Sequence, residues 1–171
     1  GLVRRGYSPT GGAERYLQRF AATLKDRGHT AVLFGTEDWP DEMEGFEKIH
    51  RIPDGGPLRF ANELEKYNPK DHCDILFSLE RIWNADFYRA GDGVHRAWLD
   101  RRQGYENGLR SKFRGFNFKH KQLIKLEQSM MRVSSDTTII ANAEFVRFEI
   151  QQYYDTPPER VHVVYNGYKP K

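Results

Sequence analysis

The sequence predicts an α/β protein built on a doubly wound parallel sheet with helices on both faces, and three observations lead there. Short apolar runs of the kind that form buried strands recur along the 171 residues, and stretches with apolar positions every three to four residues separate them. The opening stretch, residues 1–15, joins a short strand to an amphipathic helix through a glycine-bearing turn, the unit from which such sheets are assembled. At 38% hydrophobic and 30% charged residues, the chain can bury about two-thirds of its unfolded surface in one core.

Taken in order, the first strand stops at Gly6, and the turn carries Pro9, Gly11 and Gly12. The helix that follows places Leu17, Phe20, Ala21 and Leu24 on one face, and Gly28 stands where a left-handed cap closes a helix. Thr30–Phe34 is nearly continuous in apolar side chains, as a strand covered on both faces requires. An acidic loop follows, with Asp38, Asp41, Glu42 and Glu44. Phe46–Ile52 is expected as a strand and Pro53–Pro57 as a turn. Leu58–Tyr67 reads as a helix, with Leu58, Ala61, Leu64 and Tyr67 spaced by three. Further strands are expected at Asp74–Leu79, Asp86–Ala90, Asp136–Ala141 and Val161–Tyr165, and further helices at Lys119–Arg132 and Glu144–Tyr154.

In such sheets ligands bind outside the carboxyl ends of the strands, and three polar stretches fall on that edge. A strand, a glycine turn and a helix leave backbone N–H groups and the positive helix end aimed at one spot, which attracts an anion; Gly11 and Gly12 form that turn. The competing reading is a tight turn that needs positive φ angles. Neither G-x-G-x-x-G nor G-K-[ST] is present. Asp92 and His95, in Gly91-Asp92-Gly93-Val94-His95, can face one cleft and hold hydroxyls, orient an acceptor or exchange a proton. The alternative is a turn aspartate followed by a histidine that starts a helix. Glu80-Arg81 is the third stretch, and read from the residues alone it is a surface salt bridge before it is a site.

The middle of the chain is basic. Residues 94–125 carry nine Lys and Arg against Asp100 and Glu106, a net +7, whereas the rest of the chain sums to −4. Trp98, Tyr105, Phe113, Phe116 and Phe118 are interleaved with these cations, a combination that suits an anionic membrane surface or single-stranded nucleic acid. A helical hairpin with core aromatics and solvated charges fits the same pattern. Cys73 has no partner cysteine, so a reduced compartment and a small core residue are expected. The six histidines show no metal-ligand spacing, and no apolar run reaches the ~20 residues of a membrane span. The chain starts within a strand and ends on linker-like residues, so a fragment is expected.

Three stretches together resemble glycosyltransferases of family 4, which have the GT-B fold. Gly11-Gly12-Ala13-Glu14-Arg15 resembles the family's helix start. Leu126-Glu127 followed by Ser135-Asp136-Thr137-Thr138-Ile139-Ile140-Ala141-Asn142-Ala143 resembles its central helix and strand, with Ala143 where serine is commoner. Pro158-Glu159-Arg160-Val161-His162-Val163-Val164-Tyr165-Asn166-Gly167 resembles the segment joining the two halves. Asp86-Phe87-Tyr88-Arg89-Ala90-Gly91-Asp92 is further similar to lipopolysaccharide core glucosyltransferases, although Val94-His95 and much of 103–118 differ.

The resemblance implies a Rossmann-like N-terminal domain of a GT-B fold over 1–165, with a basic helical insertion. Residues 166–171 would begin a linker, and a C-terminal donor-binding domain would lie outside the chain. It implies retaining transfer of a sugar, as in a hexosyltransferase, from a nucleotide-sugar to a glycan or glycolipid acceptor, with no metal and no cofactor beyond that substrate. Gly11, Gly12, Glu14 and Glu80 would serve the donor phosphate or the acceptor, with Asp92 and His95 as catalytic groups. Arg110, Lys112, Phe113, Arg114, Phe116, Phe118 and Lys119 would meet an anionic membrane or acceptor. The expected place is the cytoplasmic face of the inner membrane, in lipopolysaccharide core assembly, and the fragment alone should be inactive. Two rivals remain: a non-catalytic module binding nucleic acid or another polyanion through residues 96–125, and a nicotinamide-dependent oxidoreductase, against which the missing G-x-G-x-x-G counts.

Overall fold

The computed structural model describes residues 1–105 and 118–167. Seven strands, β1 (Leu2–Val3), β2 (Val32–Gly35), β3 (Lys48–Arg51), β4 (Phe77–Ser78), β5 (Phe87–Ala90), β6 (Thr138–Ala141) and β7 (Val161–Val163), form one sheet in the order β3-β2-β1-β4-β5-β6-β7. Every pairing is parallel. The helices are α1 (Gly12–Asp26), α2 (Pro57–Tyr67), α3 (His95–Tyr105), α4 (Phe118–Met131) and α5 (Glu144–Tyr154).

Strand alternation assigns the two faces. Leu2, Leu33 and Phe77 face α1, which buries Leu17 and Ala21 against them. Val3, Phe34, Tyr88 and Ile139 face the other way, into a larger core. That core draws Phe60 and Leu64 from α2, Ala97 from α3, Leu126 and Met130 from α4, and Ile150 from α5. The sheet is thus thickly covered on one side and, among the described residues, by α1 with the Trp39 loop on the other.

The expected elements are present, with Gly28 at φ +81 just beyond α1 as a left-handed cap requires. Differences have local causes. β3 runs only over Lys48–Arg51 because its single partner β2 offers four rungs. β7 stops at Val163, where β6 ends, so Val164 and Tyr165 are exposed. Helix α3 was expected only without bounds, as a helix that His95 would start or as part of a basic helical insertion. Arg96, Asp100, Arg101 and Arg102 leave it no continuous apolar stripe, and packing rather than periodicity fixes it.

Two arginines fasten loops that support the sheet edge. Arg51 donates to the carbonyls of Thr36 (3.2 Å), Trp39 (2.6 Å) and Pro40 (2.9 Å). The loop so held buries Trp39, whose Nε1 donates to the Arg5 carbonyl at 3.3 Å, while Asp38 accepts the Tyr7 N–H at 2.9 Å. The acidic loop therefore fixes the backbone that leads into the glycine turn. Arg160 donates to the carbonyls of Met130 (3.0 Å), Arg132 (2.8 Å) and Thr137 (2.9 Å), closing the end of α4 and its link to β6.

One buried polar atom beside this link, the Thr137 hydroxyl oxygen, has no hydrogen-bond partner among the described residues. Replacing an unsatisfied hydroxyl by a methyl group removes a desolvation cost. Thr137→Val is therefore expected to raise stability by up to about 1 kcal/mol, read as a higher midpoint in urea at unchanged slope.

Candidate functional site

The strand order reverses at β1, whose neighbours are β2 and β4, so helices depart to opposite sides and leave a crevice beyond the carboxyl ends of β1 and β4. The turn before α1, Glu80-Arg81 after β4, and the loop after β5 converge on it.

Gly11 caps α1 with φ −67° and ψ 141°, and no side chain bonds the first-turn N–H groups. Neither Gly11 nor Gly12 has a positive φ, so backbone conformation does not explain the glycine pair. Each is small for its own reason. A Cβ on Gly11 would land on the Glu14 carboxylate, whereas a Cβ on Gly12 would meet nothing within 4 Å. Glu14 is 4% exposed and held by Arg4, so it cannot simply swing away. Gly11→Ala is accordingly expected to destabilise by about 1–3 kcal/mol, the usual cost of overpacking, with Gly12→Ala within about 0.5 kcal/mol of the parent. Urea denaturation of both variants reads the difference.

Arg4 bridges two candidate residues, with Nε 3.3 Å from Glu14 and Nη1 2.8 Å from Glu80. Glu80 and Arg81 do not pair with each other. Arg81 turns inward to a side-chain exposure of 9% and donates through Nε to Glu127 at 2.8 Å and through Nη2 to the Gly93 carbonyl at 2.8 Å. Glu127, fully buried on α4, also accepts the N–H groups of His95 (2.7 Å) and Arg96 (3.1 Å) and the Tyr154 hydroxyl (2.6 Å). It caps α3 from another helix.

His95 is the first residue of α3, so the reading of a helix-start histidine describes its backbone. Its side chain nevertheless lines the crevice. Nε2 lies 3.0 Å from His120 Nδ1, and the ring stacks on Trp98 at 5.5 Å. Burial, and after it the Arg81 guanidinium, hold the imidazole below its ordinary pKa. It is neutral at neutral pH, with one donor and one acceptor nitrogen to offer. Asp92 is exposed, next to Gly93, whose φ of +70° only glycine adopts readily.

Two adjoining hollows share Arg4 and Asp92. One, of about 580 Å³, is lined by Glu14, Glu80, Asp92, His95, Trp98 and Lys119. The other, of about 1040 Å³, runs past Gly12, Arg15, Tyr16, Arg89, Asp92 and Asn166. Glu14, Glu80, Asp92, His95 and Lys119 therefore meet in one place, with Gly12 at its border. Phe118, at the start of α4, is 71% exposed. Arg110, Lys112, Phe113, Arg114 and Phe116 lie outside the described residues. Among the described residues no three His, Cys, Asp or Glu side chains converge as metal ligands would.

Arg4, Glu127 and His120 were not picked out as site residues by the sequence reading. Only Glu127 leaves a signal: a carboxylate with Leu123, Met130 and Met131 at i−4, i+3 and i+4 lies on the buried side of its helix.

A parallel sheet with its crevice at the switch point, entered by an uncapped glycine-led helix, defines a Rossmann-like domain of the GT-B kind, the fold class the sequence predicted. The chain belongs to Glycosyltransferase Family 4, whose profile matches residues 10–171. It is 22% identical over 170 residues to lipopolysaccharide glucosyltransferase WaaG of Escherichia coli (strain K12), covering 96% of this chain and 43% of that protein. Its fold matches the crystal structure of WaaG, described as a glycosyltransferase involved in lipopolysaccharide biosynthesis, with a TM-score of 0.82 at 19% identity. That match covers 99% of this chain and 45% of the other. The chain thus spans less than half the length of these relatives.

Proposed function

We propose that this chain is the acceptor-side part of a retaining glycosyltransferase that moves a sugar from a nucleotide-sugar to a glycolipid or saccharide acceptor. One observation carries the reading: Gly12 opens α1 with no side chain, no cap and nothing within 4 Å of the space a Cβ would fill, at the border of a crevice that holds Asp92. First-turn N–H groups aimed there would stabilise charge developing on a diphosphate leaving group. Asp92 and neutral His95 would hold hydroxyls of the donor sugar or the acceptor, and the nucleotide would rest mainly on a C-terminal domain.

The chemistry needs no metal when N–H groups and guanidinium groups neutralise the diphosphate; a chelator should leave turnover unchanged. Lipopolysaccharide assembly is the favoured setting, in view of what WaaG is named for. Among the described residues no helix is long and apolar enough to cross a membrane. Peripheral attachment to the cytoplasmic face through the cations and aromatics of residues 110–119 fits their composition. Co-sedimentation with anionic vesicles at low salt tests it, and absence of pelleting would sink it.

The decisive experiment is calorimetric titration of UDP- and GDP-sugars into the full-length polypeptide, with residues 1–171 as comparison. Micromolar binding to the former and little to the latter is expected. No binding to either would remove the transferase reading.

A further inference from the structure

We infer that Glu127 is a positioning residue, whose buried carboxylate, together with Arg81, holds the loop after β5 so that Asp92 stands in the crevice. The inference rests on the reading of Asp92 as a substrate-contacting group.

The loop is gripped at successive backbone groups. Asn142 Nδ2 donates to the Gly91 carbonyl at 3.0 Å, and Arg81 Nη2 to the Gly93 carbonyl at 2.8 Å. The N–H groups of His95 and Arg96 end on the two Glu127 oxygens, at 2.7 and 3.1 Å. Val94 between them is 1% exposed. Asp92 is left as the exposed residue of a segment whose backbone is tied on both sides.

The carboxylate is suited to this task and costly for any other. An ion with no solvent exposure persists only when its lone pairs are filled. Here four donors fill them: Arg81 Nε, two helix N–H groups and the Tyr154 hydroxyl. An apolar side chain would fill the same space without the desolvation cost, but it could not accept the loop amides and the guanidinium together. A group acting on developing charge must be held in place before reaction, and this network reaches Asp92 through two backbone bonds of its own loop.

The test uses the full-length polypeptide with Glu127→Gln, which keeps the shape and replaces one acceptor oxygen by a donor. Amide exchange at His95 and Arg96 is expected to quicken by about tenfold or more while Ile139 and Ala141 stay protected. With UDP-glucose as donor probe, kcat should fall by about tenfold or more with KM within about twofold. The same change in an Asp92→Ala background should cost less than about threefold, because coupled residues are not additive. Tyr154→Phe, which removes the one donor that comes from α5, should leave kcat within about twofold. If Glu127→Gln does not fold, Arg81→Lys takes its place: the charge stays and the bridging fork goes.

Unchanged exchange at His95 and Arg96 would overturn the inference, as would equal kcat losses in both backgrounds. A parent with no turnover on any nucleotide-sugar would instead remove the transferase reading, and the exchange measurement would still decide whether Glu127 holds the loop.

Discussion

Glu127→Ala is expected to cost the fold about 3–5 kcal/mol, the usual penalty for removing one partner of a buried ion pair. Arg81 would keep a charge at 9% side-chain exposure with its carboxylate gone. The N–H groups that begin α3 and the Tyr154 hydroxyl would lose their acceptor at the same time. For a domain of this size the loss corresponds to a fall in melting temperature of roughly 6–20 °C. Removing both charges, as in Glu127→Met with Arg81→Leu, should cost less than the single change, because no uncompensated ion remains. Calorimetry on the single and double variants checks both statements; a single variant within about 1 kcal/mol of the parent would contradict them.

Gly12→Val is expected to do the opposite: leave the fold nearly intact and abolish turnover of the full-length polypeptide. The valine side chain would enter space that no described residue occupies, so no core contact is lost. It would also stand before the N–H groups of the first turn of α1. Losing donors placed for developing charge lowers kcat by about 100- to 1,000-fold per donor. Steady-state kinetics beside thermal unfolding separates the two effects. Full turnover in a folded Gly12→Val enzyme would reduce the glycine turn to a structural device.

Much of the fold was legible because burial leaves a period in the sequence. Leu17 and Ala21, fully buried on α1, were read from spacing alone, and 136–141 was expected as the strand that became β6. Helix α3 was legible only as an unbounded helical insertion, since Arg96, Asp100, Arg101 and Arg102 interrupt any stripe and tertiary contacts set its course. The crevice was placed by topology: loops at strand ends carry ligands, and Asp92 lies on such a loop while Gly12 and His95 begin the helices that such loops lead into. What sequence could not give was pairing at long range. Glu80 and Arg81 are neighbours, yet one side chain meets Arg4 and the other meets Glu127, partners 76 and 46 residues away along the chain. For the glycine pair the competing reading, a turn that needs positive φ, does not hold, and the constraint at Gly11 is instead the buried Glu14, which no spacing announces.

Helix α4 borrows its compensating charge. Its own last turn contains no cation, and Arg160 supplies one from outside at the carbonyl end, where positive charge compensates the helix dipole. The charge that steadies this end thus arrives with the turn before β7, so Arg160→Ala should fray the last turn of α4 and loosen its link to β6 together.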